Sequence, residues 1–103
     1  ILFFSFSFGQ KIKTTQVYFP YPDSKKLASE YSYYKKGNLN IYHGNYKSYF
    51  SNGKPHIIAK YEDGNRIETY IEFYDSGSIY IIEKNDEGGN RSLIKYFENE
   101  YYN

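Results

Sequence analysis

Two stretches decide the fold: YKSYFSNGKPHIIAKYEDGN at residues 46–65 and YIEFYDSGSIYIIEKNDEGG at residues 70–89. A shift of 24 residues superimposes them. Each carries, at the same spacing, an aromatic pair, a glycine turn, an aliphatic pair and an acidic turn with glycine. A period of about 20–50 residues is typical of repeat proteins, in which each unit is one supersecondary element that stacks on its neighbours. The sequence therefore predicts an array of similar hairpins.

The composition favours a thin sheet. Among 103 residues there are 15 Tyr and 8 Phe, but no Trp, Met or Cys. Tyr and Phe favour strands, and a tyrosine can pack its ring while its hydroxyl reaches water. We therefore expect an all-β protein: a single-layer, twisted antiparallel β-meander of about seven strands, with residues 10–103 as one domain. The absence of cysteine excludes disulfides and thiol chemistry.

Residues 1–9 allow two interpretations. Phenylalanine alternates with serine over residues 4–8, as in a strand with one aromatic face. The segment also resembles the end of a secretory signal peptide, because it is too short to span a bilayer and has small residues, Ser7 and Gly9, at the −3 and −1 positions of a cut before Gln10. A chain without methionine is expected to lack its true N-terminus, which favours the signal remnant. We expect export to the periplasm, surface or exterior of a bacterium.

Turn residues divide the remaining chain. Asn52-Gly53 predicts a two-residue hairpin turn in which both residues have positive φ, Gly44 predicts a bulge or kink, and residues 85–90 read as a wide acidic loop. Residues 25–34 fit either a helix or a strand, and the repeat decides for a strand. The predicted strands are 11–19, 25–34, 40–50, 56–61, 67–74, 78–83 and 91–97.

An aromatic pair followed by Asn-Gly, and then Tyr-x-x-Gly-Asn, recurs over about residues 18–100. The copies are Tyr49–Gly53, Tyr61–Asn65, Phe73–Gly77 and Tyr96–Asn99, with weaker ones at Tyr21–Ser24 and Tyr34–Asn38. This order resembles the bacterial variant of the MORN (membrane occupation and recognition nexus) repeat. The resemblance implies a twisted meander without catalytic residues that serves as a binding or scaffold surface. Some members of that family are labelled antitoxins of toxin–antitoxin pairs, an intracellular role that an exported copy would fit badly.

The chain departs from the family pattern in three places. Asn85 stands where the repeat places the counterpart of Tyr61, and Glu100 replaces a turn glycine. The segment between Gly37 and Gly53 is also longer than the later one between Gly64 and Gly77. The turns in the first half of the chain are therefore spaced differently from those in the second half.

The titratable residues predict no catalytic or metal site. His43 and His56 have no cysteine or second histidine at ligand spacing, so surface or cross-strand roles are favoured. The acidic pairs 62–63 and 86–87 lack the ligand pattern of a calcium-binding loop. We expect them to be turn residues whose side chains hydrogen-bond the nearby backbone. Three strand carboxylates have the chemistry of a glycosidase pair but are expected to be solvated outward charges: Glu68, Glu72 and Glu83. We expect neither enzymatic activity nor a cofactor.

The aromatic residues carry the functional expectation. The net charge is +1, and positive and negative residues are interspersed, so the chain has no strong positive potential that would attract phosphate groups. Nucleic acid is therefore not expected as a partner, and membrane association is disfavoured. Tyr46, Phe50, Tyr70 and Tyr74 recur at repeat-equivalent positions and are predicted to line up across neighbouring strands. Two explanations of these residues are open. Cross-strand aromatic pairs stabilise a sheet, so the residues can be purely structural. A solvent-exposed tyrosine face is also well suited to binding other molecules. We expect a protein partner, with a carbohydrate that stacks on the same strip as the alternative.

Overall fold

In a computed structural model that describes residues 11–97, the chain forms one antiparallel sheet whose strands lie side by side in chain order. The strands are β1 Lys13–Tyr18, β2 Leu27–Lys36, β3 Leu39–Tyr49, β4 Pro55–Glu62, β5 Asn65–Phe73, β6 Ile79–Asn85 and β7 Arg91–Lys95. The principal-axis extents are 63, 40 and 18 Å, and the shortest of them is that of a single layer. The all-β, single-layer meander is thus confirmed, and of residues 25–34, for which a helix and a strand competed, residues 27–34 lie in β2 and the first two lie in the preceding turn. The predictions for residues 1–9 and for Glu100 lie outside the described residues.

Burial is shallow because the sheet has only one layer. The buried apolar residues among those described are Tyr34, Ala59 and Tyr70. On one face, which we call the isoleucine face, a row of cross-strand partners runs across the last four strands: Ile58, Ile71, Ile82 and Ile94. The opposite face, the tyrosine face, carries Tyr31, Tyr46, Tyr70 and Glu83. Stability in such a sheet comes from backbone ladders and cross-strand side-chain pairs, not from a closed core.

The turn at Asn52-Gly53 differs from the prediction. Its loop has three residues, because the Phe50 N–H donates to the Lys54 carbonyl at 2.9 Å and the Gly53 N–H donates to the Phe50 carbonyl at 2.9 Å. Gly53 has a positive φ of 89°, but Asn52 does not. The side chain of Asn52 is used instead, since its Oδ1 accepts from the Lys54 N–H and its Nδ2 donates to the Asp75 carbonyl. The prediction of a two-residue turn is therefore wrong at this position.

A two-residue turn of the predicted kind lies between β4 and β5. Asp63 and Gly64 both have positive φ, 50° and 86°, and Glu62 pairs directly with Asn65. This is the geometry of a type I′ turn, whose twist matches that of the flanking strands.

The predicted wide loop at residues 85–90 is also compact. Strand β6 extends to Asn85, which pairs with Arg91. Within the loop, the Asp86 N–H donates to the Asn90 carbonyl at 3.0 Å, and Gly89 takes the positive φ. The backbone and side-chain amides of Asn90 hydrogen-bond the Asp86 carboxylate, which lowers the pKa of that carboxyl. Acidic and glycine residues here close a three-residue hairpin instead of forming an open loop.

The repeat register in the first half of the chain is shifted by one residue. The sequence match placed Tyr34 and Tyr61 in equivalent positions, but the turn after β2 has its positive φ at Gly37, the first turn residue, and not at the second. Tyr34 pairs with Ile41 on the isoleucine face, and its hydroxyl donates to Asp63 Oδ1 at 2.8 Å. Tyr61 lies on the tyrosine face, where its ring contacts Tyr42.

Candidate functional site

A bulge in β3 brings tyrosines together on the tyrosine face. Tyr31 pairs with Tyr46 and Tyr33 pairs with Tyr42, so three residues of β3 lie opposite the single residue Ser32. In a regular strand, residues four apart are separated by about 13 Å. Here the rings of Tyr42 and Tyr46 lie 5.5 Å apart, because the two extra residues are folded into the bulge.

Gly44 makes this bulge possible. Its φ of 116° lies in a region that only glycine adopts without strain. A Cβ built on Gly44 would also lie 3.0 Å from the Cβ of Ser32. The predicted bulge at Gly44 is thus confirmed, and its consequence is the contact between two tyrosines on the same strand.

Five tyrosines form what we call the tyrosine cluster: Tyr31 and Tyr33 from β2, Tyr42 and Tyr46 from β3, and Tyr61 from β4. Tyr42 is central, with its ring centroid 5.1 Å from those of Tyr31 and Tyr61 in edge-to-face geometry. Tyr46 lies 5.9 Å from both Tyr31 and Tyr61, and Tyr33 lies 6.0 Å from Tyr31. All five side chains remain partly exposed. Burial raises the pKa of Tyr42 and Tyr46, so these two hydroxyl groups stay protonated at neutral pH.

The second repeat unit builds the same bulge with different side chains. Ile58 pairs with Ile71 and Lys60 with Ile67, so residues 68–70 lie opposite Ala59. Glu68 is the 24-residue counterpart of Gly44 and keeps a positive φ of 58°. The counterparts of Tyr42 and Tyr46 are Arg66 and Tyr70, and the guanidinium carbon of Arg66 lies 3.9 Å from the centre of the Tyr70 ring. A cation–π contact therefore replaces the tyrosine pair.

Tyr70 is covered by this arrangement and has a testable titration. Its side chain is buried, its hydroxyl donates to Glu72 Oε1 at 2.9 Å, and burial raises its pKa to about 12. Below pH 10 the group is protonated in both states. Above that, the unfolded chain releases the proton first, so the free energy of unfolding falls by about 1 kcal/mol per pH unit until pH 12.

We expect this fall to be reduced in Tyr70→Phe, which has no proton to lose at that position. The check is urea denaturation at pH 9 and pH 11.5 for both proteins, with phenolate absorbance followed in parallel. An equal loss of stability in the two proteins over that interval would contradict the assignment to Tyr70.

Glu83 anchors the charged part of the tyrosine face. Its side chain is 5% exposed, and it accepts hydrogen bonds from Arg66 Nη1 at 3.1 Å and Asn85 Nδ2 at 3.1 Å. Arg91 Nε lies 3.7 Å from its second carboxylate oxygen. The expectation that Glu83 is a solvated outward charge is therefore wrong, because Arg66 and Arg91 contact its carboxylate and its cross-strand partners Tyr70 and Leu93 flank it. Glu68 does carry an exposed side chain, in an ion pair with Lys60 at 3.5 Å.

The four predicted binding residues do not form one ladder. Tyr46 belongs to the tyrosine cluster, but β4 separates it from Tyr70, which is buried beneath Arg66. Phe50 and Tyr74 follow the ends of β3 and β5 at the turns. There the Phe50 ring packs against His56 at 4.4 Å, and the Tyr74 hydroxyl donates to the Tyr96 carbonyl at 2.9 Å. Only Tyr46 is thus part of an exposed aromatic group on the tyrosine face.

Sequence reasoning missed the other four members of the cluster. Tyr31 and Tyr33 alternate along β2, which is a signal that both occupy one face. Tyr42 required knowledge of the bulge, because its position relative to Tyr46 depends on two unpaired residues. Tyr61 belongs to the recurring Tyr-x-x-Gly-Asn motif, but the motif does not indicate on which face of the sheet its side chain lies.

The histidines have structural partners. His43 Nδ1 accepts a hydrogen bond from the Asp63 N–H at 3.1 Å, and His56 Nε2 lies 3.6 Å from Glu72 Oε2. These contacts confirm cross-strand roles. Within residues 11–97 there is no group of three or more His, Cys, Asp or Glu side chains that could hold a metal ion.

An open cleft of about 560 Å³ lies beside the Glu83 network. Two arginines and four carboxylates line it: Arg66, Arg91, Glu62, Glu68, Asp86 and Glu87. The carboxylates outnumber the arginines, and Glu83 already accepts from Arg66. The cleft therefore offers no net positive charge to an anion.

Comparison with known proteins adds no relative: no protein-family model, curated protein or solved structure matches the chain. The part of the chain from residue 11 to residue 97 also contains no helix that is long and apolar enough to cross a membrane.

Proposed function

We propose that the protein is a non-enzymatic repeat module of the bacterial MORN-variant kind, exported from the cell, which docks a protein partner on the tyrosine cluster. The observation that carries the proposal is the cluster itself: five partly exposed tyrosines packed together on the open face of a single-layer sheet. Export rests on the signal-like pattern of residues 1–9. The repeat kinship rests on the 24-residue period and the hairpins that it encodes.

The geometry of the rings favours a protein over a carbohydrate. A sugar stacks on an open aromatic face, whereas Tyr42 meets the rings of Tyr31 and Tyr61 edge to face. Tyr31 and Tyr46 stack on each other at an interplanar angle of 23°, but the central ring of Tyr42 is inclined to its neighbours, so the five rings do not form one flat platform. Tyrosines of this kind give large contact area and hydrogen bonds at low entropic cost, which is why they are enriched at protein interfaces.

The rings are also too close together for a cage that encloses an ammonium group. Their centroids lie 5.1–6.0 Å apart, so neighbouring rings are in contact with one another. A binding partner must therefore lie on the cluster and not inside it.

The test is affinity capture from extract of the native host, with the full chain as bait. Tyr33→Ala is the first variant, because Tyr33 contacts the cluster at its margin and its loss leaves the other four rings in place. Tyr42→Ala removes the central ring. Truncation of an interface hot spot costs about 2 kcal/mol or more, which is roughly a 30-fold loss of affinity.

The matched control is Tyr21→Ala, because Tyr21 is 89% exposed but lies outside the cluster. The proposal is supported if one protein binds the wild type and Tyr21→Ala, and is lost from Tyr33→Ala and Tyr42→Ala. Capture that is the same for all four proteins would overturn it. Binding to a polysaccharide, lost from the same two variants, would replace it with the carbohydrate alternative.

A further inference from the structure

Strand β7 is the last strand of the sheet within the described residues, and it pairs on one side only. In an antiparallel strand, the backbone N–H and C=O groups alternate between the two sides. The groups of β7 that point away from β6 therefore have no strand partner among residues 11–97. Such an edge is a template for another extended chain.

The side chains of β7 continue the rows of both faces. Arg91, Leu93 and Lys95 pair with Asn85, Glu83 and Ile81 and so lie on the tyrosine face. Ser92 and Ile94 lie on the isoleucine face, where Ile94 ends the row that begins at Ile58. Each inner isoleucine of β5 and β6 has a row neighbour on both sides, whereas Ile94 has one among the residues that the structure describes.

The edge combines exposed apolar area with positive charge. Leu93 is 58% exposed and Ile94 is 48% exposed, and they lie between Arg91 and Lys95. The Arg91 side chain is 62% exposed, although its Nε also contacts Glu83 and Asn85. Charged residues alone would protect an edge from pairing. Here they flank two adjacent apolar residues that a neighbouring strand would cover.

We propose that the outer edge of β7, which has no strand partner within residues 11–97, binds an extended segment of a partner protein that carries acidic residues opposite Arg91 and Lys95 and apolar residues opposite Leu93 and Ile94. Read from its N-terminus in antiparallel pairing, the segment has the pattern acidic, apolar, apolar, small polar, acidic. Opposite charges directly across strands stabilise the pairing, and apolar cross-strand pairs add to it.

Charge argues against a second copy of the chain as the occupant. If two β7 strands paired about Leu93, Arg91 of each would face Lys95 of the other, and like charges directly opposite are destabilising. The site is also separate from the tyrosine cluster, which lies on β2, β3 and β4. The edge proposal can therefore fail while the cluster proposal stands, and the reverse.

The test measures binding of two synthetic peptides to the full chain by fluorescence anisotropy and by amide shifts of β7 in NMR. The matched peptides are Glu-Val-Val-Thr-Glu and Lys-Val-Val-Thr-Lys, with blocked ends. We expect the acidic peptide to bind at least tenfold more tightly at low salt, and the difference to shrink as salt rises.

The decisive variants reverse the charge of the edge. Lys95→Glu should reduce the preference for the acidic peptide, and Arg91→Glu with Lys95→Glu should invert it, while Tyr33→Ala leaves it unchanged. If the double variant unfolds because Glu83 has lost its contact with Arg91, the single variant Lys95→Glu still tests the proposal. Binding of neither peptide, equal binding of both, a preference that ignores Lys95→Glu, or dimers of the wild type through β7 would each overturn the proposal.

Discussion

Gly44→Ala is expected to lower the free energy of unfolding by about 3 kcal/mol and to disperse the tyrosine cluster. Two costs add. A residue with a side chain is strained at a φ of 116°, and the new Cβ would approach the Ser32 Cβ to 3.0 Å. Relief of either cost flattens the bulge and moves Tyr42 away from Tyr46. The measurements are urea denaturation and near-ultraviolet circular dichroism, which reports on packed tyrosines.

The matched control is Gly37→Ala. Gly37 also has a positive φ, 64°, but a Cβ there has nothing within 4 Å. We expect that variant to lose only about 1 kcal/mol and to keep its near-ultraviolet signal. Adding Ser32→Gly to Gly44→Ala should recover the part of the loss that comes from the clash. Equal losses for Gly44→Ala and Gly37→Ala would show that the close approach to Ser32 has no role.

Glu83→Ala is expected to lower the free energy of unfolding by about 2–3 kcal/mol. The change removes a buried carboxylate that holds Arg66 and Asn85, and it leaves the two arginines of the tyrosine face close together without their shared anion. The arginines are partly exposed and can turn to water, which keeps the loss below that of a fully buried pair. Thermal and urea denaturation at neutral pH measure the effect.

Two further variants separate charge from shape. Glu83→Gln keeps the volume and part of the hydrogen bonding, so it should cost less than Glu83→Ala. Glu68→Gln, at an exposed carboxylate that pairs with Lys60, should change stability by less than 1 kcal/mol because surface ion pairs contribute little. Glu83→Ala with a cost as small as that of Glu68→Gln would contradict the assignment of Glu83 as the anchor.

The period in the sequence was enough to predict the architecture. Glycines and acidic residues recur at a fixed spacing, and each recurrence marks a turn, so the strands between them follow with errors of a few residues. The repeat also chose a strand for residues 25–34, where local pattern fitted a helix equally well. Hairpin order needed no long-range information, because every strand pairs with its neighbour in sequence.

The candidate site was much less accessible, because it depends on register. Tyr42 and Tyr46 are neighbours only through a bulge that holds two extra residues, and no local rule gives that number from Gly44 alone. The burial of Glu83 depends on arginines from β5 and β7. The prediction of a two-residue turn at Asn52-Gly53 was wrong for a related reason, because the side chain of Asn52 hydrogen-bonds the Asp75 carbonyl in the next turn.

Within residues 11–97 each strand pairs only with its sequence neighbours, and this local pairing also determines how the protein unfolds and folds. Contacts in such a chain are local, so loop closure costs little entropy and folding can begin at any hairpin. The sheet then grows outward as each next strand pairs with the one already folded. The outermost described strands, β1 and β7, unfold locally at a lower free energy than the inner strands. Among the inner strands, the tyrosine rings of β2, β3 and β4 contact one another. The tyrosine cluster, which is the proposed docking surface of the protein partner, is therefore held by the most persistent part of the chain, whereas the edge of β7 belongs to a less persistent part.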